Sequence, residues 1–231
     1  MKGKVLQVGT RAGRRQIKAN HIPVLVTHRA EHTYPFRANT VTRDLKQRIH
    51  TSNVIPIHVC GSSGAHNMSQ SIKLGYMNAR SCRNKAEEIN DLITHNKLDV
   101  LLITETWLYK EGDEPIIASL CPPGFKFKPC PRENRRGGGI ATIYRESLET
   151  KIKFVNTQHL KTTTLEIMEL CLDVGDKSFD IICYYRLQNS KKFKVSIPTF
   201  ISEFEQLLSY LSRKKGHLLL AGDMNFQKNT W

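Results

Sequence analysis

Three short polar signatures each close an apolar run: Tyr76-Met77-Asn78-Ala79-Arg80, Thr104-Glu105-Thr106-Trp107 and Gly222-Asp223-Met224-Asn225. They offer two carboxylates, Glu105 and Asp223, and two amides, Asn78 and Asn225. Oxygen donors of this kind suit a hard divalent cation, because Mg²⁺ takes one or two carboxylates and completes its shell with water and substrate phosphate. Glu105 and Asp223 are the expected metal-binding carboxylates. The nine histidines are spread from His21 to His217, and the oxygen-rich set is read as a magnesium rather than a zinc site. Phosphoester hydrolysis needs a cation against developing charge, a group that orients water, and donors for the phosphoryl oxygens. Asn78, Glu105, Asp223 and Asn225 are of the right types, and Tyr185 with Arg186 adds a phenol and a guanidinium.

Plainer readings stand beside these. The two acids could cap helices or face solvent, and Asn78 and Asn225 could simply close turns. Trp107 is read as a packing residue at the mouth of the site rather than a base-stacking platform. The triplet Gly137-Gly138-Gly139 precedes a strand instead of a helix, which makes it a permissive turn rather than a phosphate cradle.

Positioning these groups requires strands. Residues 98–103 and 217–221 are short and almost continuously hydrophobic, as expected of strands covered on both faces. A further strand runs from Ile72 to Asn78. Ala86, Ile89, Leu92 and Ile93 recur at three- and four-residue spacing and predict a helix over 84–96. A loop follows Trp107, then Phe125 and Phe127 alternate with lysines in a half-wet strand. Strands are expected at 140–144, 151–155, 165–174 and 179–185. A second helix takes Ser196 as N-cap and Pro198 in its first turn, with Phe200, Phe204, Leu207, Leu208 and Leu211 as its apolar stripe. The organisation is an α/β domain over 71–231 behind a basic, largely disordered arm over 1–70. Only two apolar islands, 22–26 and 54–59, interrupt that arm.

The net charge of +14 is uneven: residues 1–66 hold eleven Lys/Arg against two acids, a net +9. Such an arm concentrates polyanions around itself, so nucleic acid is the expected partner, DNA first and RNA through the arm. Arg80, Arg132, Arg135, Arg136 and Arg186 are candidates for tracking a phosphate backbone. The six cysteines show no CxxC pairing and are expected as free thiols, with Cys171 and Cys183 packed in strands. No apolar stretch approaches the roughly 20 residues that cross a bilayer. A monomer in the nucleus or cytoplasm is expected.

The stretch YMNARSCRNKAEEINDLITHNKLDVLLITETWL, from Tyr76 to Leu108, resembles the opening of the endonuclease domain of non-LTR (LINE-type) retrotransposons. These belong to the endonuclease/exonuclease/phosphatase superfamily. Arg136-Gly137-Gly138-Gly139, Tyr185-Arg186 and Gly222-Asp223-Met224-Asn225 follow in that family's order, and the resemblance covers about residues 70 to 231. It implies a four-layer sandwich of two mixed β-sheets flanked by helices, and DNA nicking with Mg²⁺, or Mn²⁺ as substitute. It assigns Glu105 to metal, Asn78 to metal or phosphate, Tyr185 to the phosphate side, and Asp223 with Asn225 to the attacking water and the transition state. Arg80 stands where many superfamily members carry an acid. The family's closing Ser-Asp-His motif is not found before Trp231, so an incomplete second sheet and weak or no activity are expected. A catalytically dead nucleic-acid-binding remnant and a phosphoesterase acting on a lipid or inositol phosphate are the alternatives.

Overall fold

The computed structural model describes residues 6–7, 23–27, 53–59, 70–132, 137–188 and 194–225. Its element order is β1 (Leu6–Gln7), β2 (Pro23–Thr27), β3 (Asn53–Val59), β4 (Gln70–Asn78), α1 (Ala86–Asn96), β5 (Val100–Thr104), α2 (Glu114–Leu120), β6 (Phe125–Cys130), β7 (Ile140–Arg145), β8 (Ile152–Val155), β9 (Leu165–Val174), β10 (Lys177–Arg186), α3 (Ile197–Ser212) and β11 (His217–Asp223). One sheet has the order β3-β4-β5-β7-β6 and the other β1-β2-β11-β10-β9-β8. Both are mixed, since β4–β5 and β10–β11 pair in parallel while the other pairs are antiparallel. The α/β sandwich expected from the sequence is the fold observed.

The two-residue period of strands explains the layering. Leu74, Tyr76, Val100 and Leu102 from one sheet meet Leu170, Leu172, Ile181, Cys183 and Tyr185 from the other in a central cluster. The alternate residues Met77, Leu101 and Ile103 pack outward on Ile89, Leu92 and Ile93 of α1 and on Leu120 of α2. Ile182, Tyr184 and Leu220 pack outward on Phe200, Leu207 and Leu211 of α3. Runs such as Val100–Thr104 are buried throughout because both of their faces are covered.

α3 starts as expected, with Ser196 Oγ accepting from Thr199 N and proline in the first turn. Leu208 departs from the expected stripe and is 37% exposed. α2 falls where a loop was expected: Pro115 suits a first turn, and Leu120 supplies a buried anchor. The two N-terminal apolar islands coincide with β2 and β3, which pair with β11 and β4 respectively. Apart from these, β1 and Gln70, the arm lies outside the described residues. Cys82, Cys121, Cys171 and Cys183 are free thiols.

Candidate active site

The site forms where the inter-sheet core runs out. Asn78 continues the inward-facing parity of Leu74 and Tyr76, Tyr185 that of Ile181 and Cys183, and Asp223 that of Leu219 and Ala221. Register aligns them further, since Tyr185 pairs with Asp223 on one side and with Glu166 on the other. Glu166, Tyr185 and Asp223 therefore stand in one row across β9, β10 and β11. From the opposite sheet, Glu105 follows β5 with φ +54°. Backbone bonds from Ser81 N to Glu105 O (2.7 Å) and Cys82 N to Thr106 O (2.9 Å) hold this turn against the end of β4.

The central contact is the Asn78 amide. Its Nδ2 donates to Glu105 Oε1 at 2.9 Å and to Asp223 Oδ2 at 2.8 Å, joining two carboxylates separated by most of the folded sequence. Arg80 N donates to Asn78 Oδ1 at 3.0 Å, which fixes the amide. Glu105 and Asp223 are both buried. Buried carboxylates that converge on one donor form a cation-seeking point, and their all-oxygen chemistry fits Mg²⁺. Among the described residues no group of three or more His, Cys, Asp or Glu side chains could form a metal cage. The donor set therefore matches a cation held by two carboxylates, leaving the rest of its shell for water and phosphate.

Around this point the second sheet supplies donors. Burial raises the Tyr185 phenol well above its ordinary range, with Glu105 and Glu166 adding to the shift and Arg132 and Asn225 opposing it. Tyr185 therefore remains a neutral hydrogen-bond donor. Asn225, at φ +47°, donates its backbone N–H to Asp223 Oδ1 at 2.8 Å. Its side chain donates to Arg186 O (2.8 Å) and accepts from Gln188 Nε2 (2.8 Å), so Asn225 both orients Asp223 and locks the turn after β11. Gly222 is required beside it, because a Cβ there would lie 2.1 Å from Tyr184 O.

Glu166 has no counterpart among the residues picked out from the sequence. It forms an ion pair with Arg132, and its other oxygen accepts from Gly139 N at 2.8 Å. Burial raises its carboxyl above the usual range, against the pull of Arg132 and the Gly139 N–H. The Arg132 guanidinium occupies the space that a side chain on Gly138 (φ +69°) would need and lies 5.9 Å from the centre of the Tyr185 ring. The glycine triplet is thus a seat for Arg132. The signal for Glu166 was parity: it shares a face with Met168, Leu170 and Leu172.

Two expectations are revised. Arg186, expected to face phosphate, is buried; its Nη1 donates to the carbonyls of Met224 (3.2 Å) and Asn225 (3.1 Å), and its guanidinium lies over Phe200. Successive strand residues point to opposite faces, so Tyr185 and Arg186 cannot both enter the site. Trp107, expected as a packing residue, is 45% exposed. Arg80 is exposed beside Asn78, and Arg135 and Arg136 lie outside the described residues.

A family model described as the endonuclease/exonuclease/phosphatase family matches residues 72–231. No curated protein sequence matches the chain. Similar solved structures include a humanized D. rerio TDP2 (12% identity, TM-score 0.49, covering 68% of this chain and 63% of that one). An AP endonuclease, LMAP, from Leishmania major shows 15% identity and a TM-score of 0.49, covering 69% and 56%. An AP endonuclease from Archaeoglobus fulgidus shows 19% identity and a TM-score of 0.47, covering 69% and 59%. The chain spans 56% to 63% of the length of these structures.

Proposed function

We propose, on the premise that this chain belongs to the endonuclease/exonuclease/phosphatase family of phosphoester hydrolases, that it is a DNA-nicking endonuclease of the LINE retrotransposon type. The observation that carries this reading is the bridge from the Asn78 amide to Glu105 and Asp223. Support for DNA comes from the net charge of +14 and from the ordered ETW, RGGG, YR and GDMN signatures.

Glu105 and Asp223 are the residues that would hold a divalent cation, while Asn78, expected as a third ligand, turns its Nδ2 donor rather than its oxygen towards both and positions them. Such an ion, when bound, neutralises charge on the phosphoryl oxygens. The chain's own residues do the rest. Tyr185 donates its O–H to a non-bridging oxygen. Asp223 is oriented by Asn225 N and Asn78 Nδ2 and is placed to accept a hydrogen bond from the attacking water. Glu166 fixes Arg132 beside Tyr185, adding positive charge where phosphate approaches.

Two measurements test the proposal together. Any nicking of supercoiled plasmid by this chain should require Mg²⁺ or Mn²⁺, and Mn²⁺ binding should be detectable by water-proton relaxation whether or not nicking is strong. Glu105→Gln and Asp223→Asn should each lower nicking by about 100-fold or more, the scale at which lost transition-state groups act, and weaken Mn²⁺ binding. Variants that bind Mn²⁺ as well as the parent would reject the shared-ion assignment.

A further inference from the structure

Directly after the metal-facing Glu105, the chain makes an arrangement that the hydrolytic reading does not use. Trp107 is 45% exposed and sits at φ +54°, two residues after Glu105 at the same angle. Left-handed backbone is a genuine outlier for a bulky aromatic residue, and such strain persists only where the surroundings impose it. Here they do: Thr106 N donates to Gly139 O at 3.1 Å and Trp107 N to Gly138 O at 2.8 Å, tying the segment to the glycine triplet. Gly137 offers no side chain to cover the indole, whose Nε1 lies 3.8 Å from where a Cβ would sit. Leu108 turns inward and is buried, so Tyr109 emerges again, also 45% exposed. Arg83 lies 5.3 Å above the Tyr109 ring and is braced by Asp113 at 2.6 Å. Two half-exposed aromatic rings thus alternate just after Glu105, with Arg83 over the Tyr109 ring and Arg132 seated on the glycine triplet to which the Trp107 N–H bonds.

We infer that Trp107 is a stacking platform for an unpaired nucleobase beside the reacting phosphate, which makes the ligand a nucleic acid strand rather than a free phosphate ester. Aromatic faces interleaved with cations are the chemistry by which single strands are held without regard to sequence. A lipid or inositol phosphate presents no π-face to stack on the exposed indole. The inference rests on the phosphoester reading for the position of the phosphate alone.

The chain has two tryptophans, so Trp231→Phe leaves Trp107 as the fluorescent reporter. In that background, with EDTA to prevent cleavage, a short oligothymidylate and an abasic oligomer of equal length are titrated separately. Oligothymidylate should quench the fluorescence, and Trp107→Ala should weaken its binding, followed by anisotropy of a labelled strand, by about 5- to 150-fold. The abasic oligomer should bind parent and Trp107→Ala alike, and Trp107→Phe should restore much of the lost affinity. Unquenched binding of oligothymidylate, equally tight in Trp107→Ala, overturns the platform and leaves the nuclease reading intact. Failure of both oligomers to bind, with an inositol polyphosphate binding instead, overturns both.

Discussion

Asn78 stands between two acids that would otherwise repel each other. Removing the amide in Asn78→Ala forfeits hydrogen bonds to two carboxylates, each of the class worth about 1.5–3 kcal/mol. The loss should be largest in EDTA and shrink when Mg²⁺ is added, because a cation between Glu105 and Asp223 replaces the missing donor. Urea unfolding with and without Mg²⁺ measures this, and a loss indifferent to Mg²⁺ shows that the acids do not share an ion. The same reasoning applies across the row to Arg132 and Glu166. Their side chains are only 17% and 15% exposed, so neither charge is well solvated without the other. Arg132→Ala and Glu166→Ala should each cost about 1.5–3 kcal/mol, and the double variant should cost clearly less than the two together. Strict additivity in that cycle would mean that the pair is not coupled.

Elements decide which of these residues could be read from the chain. The strands that deliver Glu105 and Asp223 were legible because almost continuously apolar runs ending in a polar group have few other solutions in a covered sheet. Glu166 was not, because one acid within β9 looks like a solvent-facing residue until the antiparallel register sets it beside Tyr185. Arg186 misled for the complementary reason: adjacency in sequence suggests a shared target, whereas adjacency in a strand separates the side chains. Backbone handedness at Glu105 and Trp107 leaves no mark in composition, and so the exposure of Trp107 was hidden. Elements also carry a pH dependence. Burial alone would raise the Glu203 carboxyl, but hydrogen bonds from the side chains and backbone N–H groups of Thr164 and Thr163 hold it below the ordinary 4.5. A lowered native value means that the unfolded chain takes up its proton first, so this contribution is complete above about pH 4.5 and disappears as the pH falls through the native value. Glu203 ties α3 to Thr163 and Thr164, the two residues just before β9, which lie three and two residues from Glu166. Urea midpoints of the parent should fall faster than those of Glu203→Gln as the pH drops from 6 towards 3, and parallel curves would remove Glu203 as the source. Gly222→Ala should be costly at any pH, by about 1–3 kcal/mol, because the added methyl overlaps Tyr184 O and displaces Asp223.

At the scale of the whole molecule the question is how a basic chain divides its work between capture and chemistry. The carboxylates at the site set no preference for DNA by themselves, since buried acids repel a phosphate strand until a cation is present. Attraction at a distance must come from elsewhere, and the net +9 within residues 1–66 is the largest single reserve of positive charge. Counterion release makes that contribution measurable: each phosphate neutralised by Lys or Arg steepens the fall of log K with log salt by about 0.9 on duplex DNA. Replacing Lys2, Lys4, Arg11, Arg14, Arg15 and Lys18 with glutamine leaves the sequences of β2 and β3 untouched while removing six charges. Duplex binding in EDTA should weaken and its salt slope should become shallower by several of those increments, whereas Mn²⁺ binding at Glu105 and Asp223 should not change. A salt slope identical to the parent's would assign capture to the folded domain, with Arg80, Arg83 and Arg132 as the groups to neutralise next.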